Sequence, residues 1–266
     1  MRGAGAGAGA VTLDAVGRPL IAFLTGAGIC TDSGIPDYRG PNGLWRRDPD
    51  AEKLVTFDYY MTDPEIRRRS WRLRQETAAL GARPNAGHQA IADLGRSGRA
   101  DVWVITQNTD GLHQQAGTPP DRVLELHGSA RAVVCTRCGD RTPMQDALDR
   151  IAGEPGGAGE PDPPCPACGG ILKAATVMFG ESLDHEVLSA AVAVAGEASL
   201  FFAVGSSLQV YPAAGLVDVA ASGGARLVIV NADPTPYDPL AAQVVREPIG
   251  TALPDLLDGL KVWDTE

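Results

Sequence analysis

Four short apolar runs recur along the chain, at residues 19–25 (PLIAFLT), 101–106 (DVWVIT), 200–205 (LFFAVG) and 226–231 (RLVIVN). None alternates polar with apolar positions. Each therefore predicts a strand buried on both faces, ending in a loop of small or polar residues. Between them lie stretches with helical spacing, at 86–94, 186–195 and 212–221. Strands alternating with helices predict an α/β domain, a parallel sheet covered on both sides.

Two stretches break this rhythm. Residues 40–81 are rich in charge and aromatics and predict a helix over 64–80 (PEIRRRSWRLRQETAAL). Residues 133–170 hold paired cysteines and a Gly/Pro-rich piece at 153–164, which predicts a mobile loop. Both read as insertions that together make a smaller second lobe. Residues 1–10 alternate Gly and Ala and predict a disordered tail. They carry neither the apolar core of a signal peptide nor the repeated arginines of a transit peptide. The apolar runs are far too short to span a bilayer, so the expectation is a soluble, cytoplasmic protein with no membrane partner.

Charge changes the picture only by exclusion. The net charge of −10 over 266 residues argues against direct nucleic-acid binding, which needs a basic face. Arg heavily outnumbers Lys and Ala and Gly abound, a composition that points to a GC-rich bacterial genome.

The candidate chemistry begins with cysteine. Cys135-x-x-Cys138 and Cys165-x-x-Cys168 offer two thiolates from each of two tight turns, with a glycine after the second Cys of each pair. That set closes a tetrahedron around one zinc and leaves no position open for water, so the metal is expected to be structural.

The first strand runs into Gly26-Ala27-Gly28-Ile29-Cys30-Thr31-Asp32-Ser33-Gly34, followed by Ile35-Pro36-Asp37-Tyr38-Arg39. Such a turn lets backbone N–H groups approach a pyrophosphate at a helix N-terminus, although the glycines depart from G-x-G-x-x-G and packing alone would explain them equally well. The second strand ends in Gln107-Asn108-Thr109-Asp110, whose amides and carboxylate suit ribose hydroxyls and a carboxamide. His127 follows a short apolar run just before the first cysteine pair, and spacing alone does not single it out.

Taken in order, GAGICTDSGIPDYRGPNGLW (26–45), TQNTDGLH (106–113), LELHG (124–128), the cysteine pairs, MFGESL (178–183), GSSLQVYPA (205–213) and VNADPT (230–235) make the chain resemble the sirtuin family of NAD-dependent protein deacylases, in a bacterial-type member. The resemblance implies a doubly wound, Rossmann-like NAD-binding domain (residues 11–39, 82–131 and 172–263), a helical insertion (40–81) and a zinc-binding module (132–171). It implies NAD as co-substrate, acetyl-lysine side chains of other proteins as partners, and release of nicotinamide and O-acetyl-ADP-ribose.

By position, the resemblance places Ala27, Gly28, Thr31 and Arg39 at the pyrophosphate and Tyr38 over the nicotinamide ribose. Ile35, Asp37, Asn108 and Asp110 would line the nicotinamide pocket, with Gly26, Gln107 and Thr109 as further NAD-binding residues. Gly205, Ser206, Ser207, Asn231, Ala232, Asp233 and Ala252 would hold the adenosine half. His127 would be the general base, with Asn108 helping the first step. Val177, Phe179 and Gly180 on one side and Leu208 and Val210 on the other would flank an acyl-lysine peptide added as a strand.

This chain has Cys30 where the family commonly has Ser, and Tyr38 where it has Phe. Members that remove succinyl groups grip the extra carboxylate with a Tyr and an Arg three residues apart. The counterpart here is Trp71 with Arg74, which lacks the hydroxyl. A mono-ADP-ribosyltransferase or a silent NAD-sensing module would use the same site, but the intact His127, Asn108 and Asp110 favour deacylation. The departure from G-x-G-x-x-G disfavours a dehydrogenase.

Overall fold

The structure is a computed structural model that describes residues 17–37, 48, 50–79, 81–153 and 159–260. Its larger sheet has six parallel strands in the order β3-β2-β1-β7-β8-β9. These are β1 (Leu20–Thr25), β2 (Asp101–Thr106), β3 (Val123–Glu125), β7 (Leu200–Val204), β8 (Arg226–Val230) and β9 (Gln243–Val245). The chain builds outward from β1 in one direction and from β7 in the other, so the sheet is doubly wound with its switch point between those two strands.

Burial explains the unbroken apolar runs. Leu20, Ala22 and Leu24 of β1 point to one face, where helices α6 (His185–Glu197) and α7 (Leu216–Ser222) cover them. Ile21 and Phe23 point to the other face, under α3 (Ala86–Arg96) and α8 (Ile249–Asp258). A strand with both faces covered favours apolar side chains at nearly every position, and the buried Thr25 and Thr106 at the strand ends bond to each other.

The smaller lobe joins the two insertions. Its antiparallel sheet runs β5-β4-β6, from β4 (Gly128–Cys135), β5 (Arg141–Pro143) and β6 (Leu172–Thr176). Helix α2 (Pro64–Ala79) sends Trp71, fully buried, into the core made by Val133, Met144, Leu148 and Leu172. Tyr60, on α1 (Phe57–Thr62), adds a hydrogen bond from its hydroxyl to the Leu172 carbonyl at 2.7 Å. Trp71 is therefore a packing residue, with its ring nitrogen left without a hydrogen-bond partner.

No helix among the described residues is long and apolar enough to cross a membrane.

Candidate active site

A cavity of about 1030 Å³ opens at the carboxyl ends of β1, β2 and β7 and extends between the two lobes. That is the crevice where doubly wound sheets hold their ligands.

The floor of the cavity is two loops in backbone contact. Gly26 N–H donates to the Val204 carbonyl (3.0 Å) and Gly28 N–H to the Gly205 carbonyl (2.9 Å). A Cβ on Gly28 would stand 2.7 Å from the Gly205 Cα, and one on Gly205 would stand 2.4 Å from the Ile29 nitrogen. Packing of one loop on the other thus accounts for Gly26, Gly28 and Gly205. The expected helix N-terminus is instead a 3-10 turn, Ala27–Ser33. The N–H groups of Gly26 and Gly28 are already taken, so an anion at this turn would have to meet other donors.

The loop after β2 supplies the polar wall. Asn108 donates both amide hydrogens, to the Gly26 carbonyl (2.9 Å) and to the Cys30 sulfur (3.2 Å), which fixes its orientation. Its carbonyl oxygen remains as an acceptor. Cys30 in turn donates its S–H to Asp110 Oδ2 (3.0 Å), while Asp110 Oδ1 caps the Leu112 N–H (2.9 Å). Burial first, and then the Asp110 charge, push the Cys30 thiol well above the ordinary thiol range, so it stays protonated. Gln107 bridges to the far loop through Ser206 Oγ (2.9 Å).

His127 lies between β3 of the larger sheet and β4 of the smaller one. Its Nδ1 is 2.9 Å from the Gln107 carbonyl, an oxygen that can only accept, so Nδ1 carries the proton and Nε2 keeps its lone pair. Burial lowers the pKa of the ring below its ordinary value, partly offset by that hydrogen bond. His127 is therefore a neutral imidazole at pH 7, the state a general base requires.

Behind this wall lies a buried polar cluster. His113 reaches Thr25 Oγ1 at 3.0 Å, Thr25 donates to Thr106 Oγ1 at 2.8 Å, and the His88 and His113 rings lie 4.8 Å apart. Asn85 caps α3 and donates to the Ile29 carbonyl (2.7 Å), which ties the helix to the glycine turn. Spacing did not reveal this cluster or the Cys30 hub. The only visible signal was that Cys30 and His113 fall inside motifs that carry the resemblance.

The structure brings most of the expected site residues onto one wall. Gly26, Ala27, Gly28, Ile35, Asp37 and Gln107 through Asp110 line the cavity, with His127, Gly205, Ser206, Ser207, Asn231 and Asp233. So do Val177, Phe179, Gly180 and Val210. Four residues are placed otherwise. Leu208 is buried in the core, at a φ of +53°. Ala252 packs in the core on the opposite sheet face. Thr31 is exposed and donates to the Gly28 carbonyl, and Ala232 is exposed off the wall. Tyr38 and Arg39 lie outside the described residues.

The expected peptide edge is also partly occupied. Phe179 donates to the Val55 carbonyl (2.8 Å) and accepts from Phe57 N–H (2.9 Å). Gly180, at φ +94°, forms a turn closed by Glu181 N–H on the Met178 carbonyl (3.0 Å).

The metal site is set by two further turns. The sulfurs of Cys135, Cys138, Cys165 and Cys168 all lie within 4.8 Å of one another, with Cys135–Cys168 at 3.5 Å and Cys138–Cys165 at 3.8 Å. A tetrahedron of four thiolates around zinc has edges of about 3.8 Å. Gly139 and Gly169 each adopt positive φ and donate to the carbonyl of the first Cys of their pair. The donor set and its spacing fit one structural zinc, and the cysteines form no disulfide.

A family model described as the Sir2 family matches residues 26–212. The chain belongs to the Sir2 family. It is 66% identical over 244 residues to "NAD-dependent protein deacetylase 2" of Streptomyces coelicolor, covering 92% of this chain and 99% of that relative. It is 44% identical to "NAD-dependent protein deacetylase 1" of Pyrobaculum aerophilum, over 90% of this chain and 89% of the relative. Among solved structures it is similar to "Sir2-p53 peptide-NAD+", with a TM-score of 0.78 and 34% identity over 90% of this chain and 92% of that one. It is also similar to "Sir2 bound to acetylated peptide", with a TM-score of 0.76, 32% identity and the same coverage.

Proposed function

We propose that the protein is an NAD-dependent protein-lysine deacetylase in which His127 is the general base. The observation that carries this reading is the His127–Gln107 hydrogen bond, which leaves a neutral Nε2 lone pair at the wall of the shared cavity.

NAD is the co-substrate: it supplies the ribose carbon that takes the acyl oxygen as nicotinamide leaves, and the products are nicotinamide, free lysine and O-acetyl-ADP-ribose. The protein's own part is placement and proton handling. Asn108, with its amide hydrogens fixed, presents one carbonyl oxygen toward the sugar side of the cavity. Asp110 and Cys30 hold that amide still. His127 Nε2 takes a proton from a ribose hydroxyl, so that the hydroxyl can attack the acyl carbon. The acyl-lysine enters between the 177–180 segment and the loop at 205–210. Zinc, held by the four cysteines, stabilises the small lobe and takes no part in the chemistry.

The test is mass spectrometry of products from acetyl-, succinyl- and longer-acyl-lysine peptides with and without NAD. Loss of the acetyl group only when NAD is present, with O-acetyl-ADP-ribose formed, supports the reading. Addition of ADP-ribose to the peptide in place of deacetylation contradicts it.

A further inference from the structure

Lys173 is one of only three lysines in a chain that uses Arg for nearly all its positive charge. It lies on β6 with its side chain 7% exposed, and no role in the reaction above accounts for it. Its ammonium meets three acceptors: the Thr176 carbonyl (2.6 Å), the Ala174 carbonyl (3.4 Å) and Glu181 Oε2 (2.9 Å). Three convergent partners suit the compact, three-donor ammonium and not the planar fork of Arg.

The partner carboxylate closes the lip of the cavity. Glu181 Oε2 also accepts the Met178 N–H (2.9 Å), and Glu181 N–H returns to the Met178 carbonyl. One residue thus pins both ends of the turn that contains Phe179 and Gly180. At its other end the lip is tied to the catalytic residue, since Val177 N–H donates to the His127 carbonyl (2.9 Å). Residues 177–181 all face the cavity. The lip is therefore held at its ends by His127 and the Lys173–Glu181 pair, and at Phe179 by the pairing with residues 55–57.

An ion pair this buried is a poor device for stability, because removing two charges from water offsets most of their attraction. What it does here is fix a geometry. We infer that the Lys173–Glu181 pair is a positioning device for the substrate backbone: it holds the 177–181 lip in register with His127 and so sets affinity for an acyl-lysine within a peptide. The inference rests on the deacetylase reading above. It adds the buried pair that holds the lip where the flanking peptide backbone would pair.

Three variants and two substrates test it. Lys173→Met removes the ammonium. Lys173→Arg keeps the charge but not the convergence. Glu181→Gln keeps an acceptor for Met178 N–H while losing the ion pair, and serves if Lys173→Met fails to fold. The expected result for all three is a rise in KM for an acetylated peptide on the order of tenfold, the scale of a lost or misplaced backbone hydrogen bond or two. KM for NAD and kcat at saturating peptide should stay within about twofold. With acetyl-lysine amide, which has no flanking backbone, the variants should match wild type. A peptide KM that does not move overturns the inference, as does a parallel loss for both substrates or for NAD. If wild type itself removes no acetyl group, the functional reading fails first. If wild type deacetylates and the variants bind peptide normally, only this inference fails.

Discussion

Replacing Gly205 with alanine probes the contact on which the site is built. Gly205 has a φ of +62°, and a Cβ there would stand 2.4 Å from the Ile29 nitrogen and 2.7 Å from the Gly28 carbonyl carbon. Left-handed backbone costs a non-glycine residue roughly 1–2 kcal/mol. Forcing a methyl group against the Gly28–Ile29 main chain adds about 1–3 kcal/mol, because backbone cannot turn aside as a flexible side chain would. The sum is about 2–5 kcal/mol, or on the order of 10 °C in melting temperature for a chain of this size. Gly34 is the control. Its φ is +83° but nothing lies within 4 Å of a Cβ there, so Gly34→Ala should cost only the backbone share. Function should divide the two more sharply. Gly205→Ala pushes away the turn that carries Ala27, so kcat/KM for NAD should fall by roughly tenfold or more, whereas Gly34→Ala should leave it near wild type. Thermal unfolding and NAD titration of initial rates measure both. If the two variants melt alike and use NAD alike, the close approach of the two loops does not organise the site.

Three more outcomes are expected. Cys165→Ser should lose the zinc seen by metal analysis and lower the melting temperature, since thiolate–zinc binding is coupled to folding; an unchanged melt would refute a structural metal. An acetyl peptide should be preferred over a succinyl peptide, because buried Trp71 offers no hydroxyl beside Arg74, and an underpaired carboxylate costs on the order of 1–3 kcal/mol; a higher kcat/KM for succinyl would refute it. Acid should destabilise the fold early. Burial pushes His88 down to about 4 and His113 to about 3, whereas an unfolded histidine protonates near 6.5. The unfolded chain therefore takes up protons first, so stability is full above about 6.5 and falls toward pH 4 by up to about 1.4 kcal/mol per pH unit for each ring. Urea unfolding that is flat between pH 7 and 5 would contradict this.

Four of the six strands of the larger sheet were legible because their signal is local: β1, β7 and β8 have nearly every position buried and read as unbroken apolar runs, whereas the three-residue edge strands β3 and β9 are too short to carry one. The four zinc-ligand cysteines were legible for the same reason, since each pair is one turn. What escaped was non-local. That Gly26 and Gly28 pack against Gly205, far along the chain, could not be read from either segment alone. Cys30 is buried in the core, and its bonds with Asn108 and Asp110 could not be read from either segment alone. Leu208 lies buried in the core at a positive φ, which its motif does not signal. Each correction depends on which loop meets which, and that is set by the switch point between β1 and β7 and not by any one segment.

The central claim is that His127 acts as the base for acyl transfer and not for cleavage of NAD. The direct measurement is labelled nicotinamide exchange beside deacetylation for His127→Ala and Asn108→Ala, with NAD affinity determined separately. Removing a positioned general base typically costs two or more orders of magnitude in the step it serves. His127→Ala should therefore keep NAD binding and measurable exchange while deacetylation falls by roughly a hundredfold or more, and Asn108→Ala should depress exchange and deacetylation together. Deacetylation by His127→Ala at a rate near wild type would contradict the account.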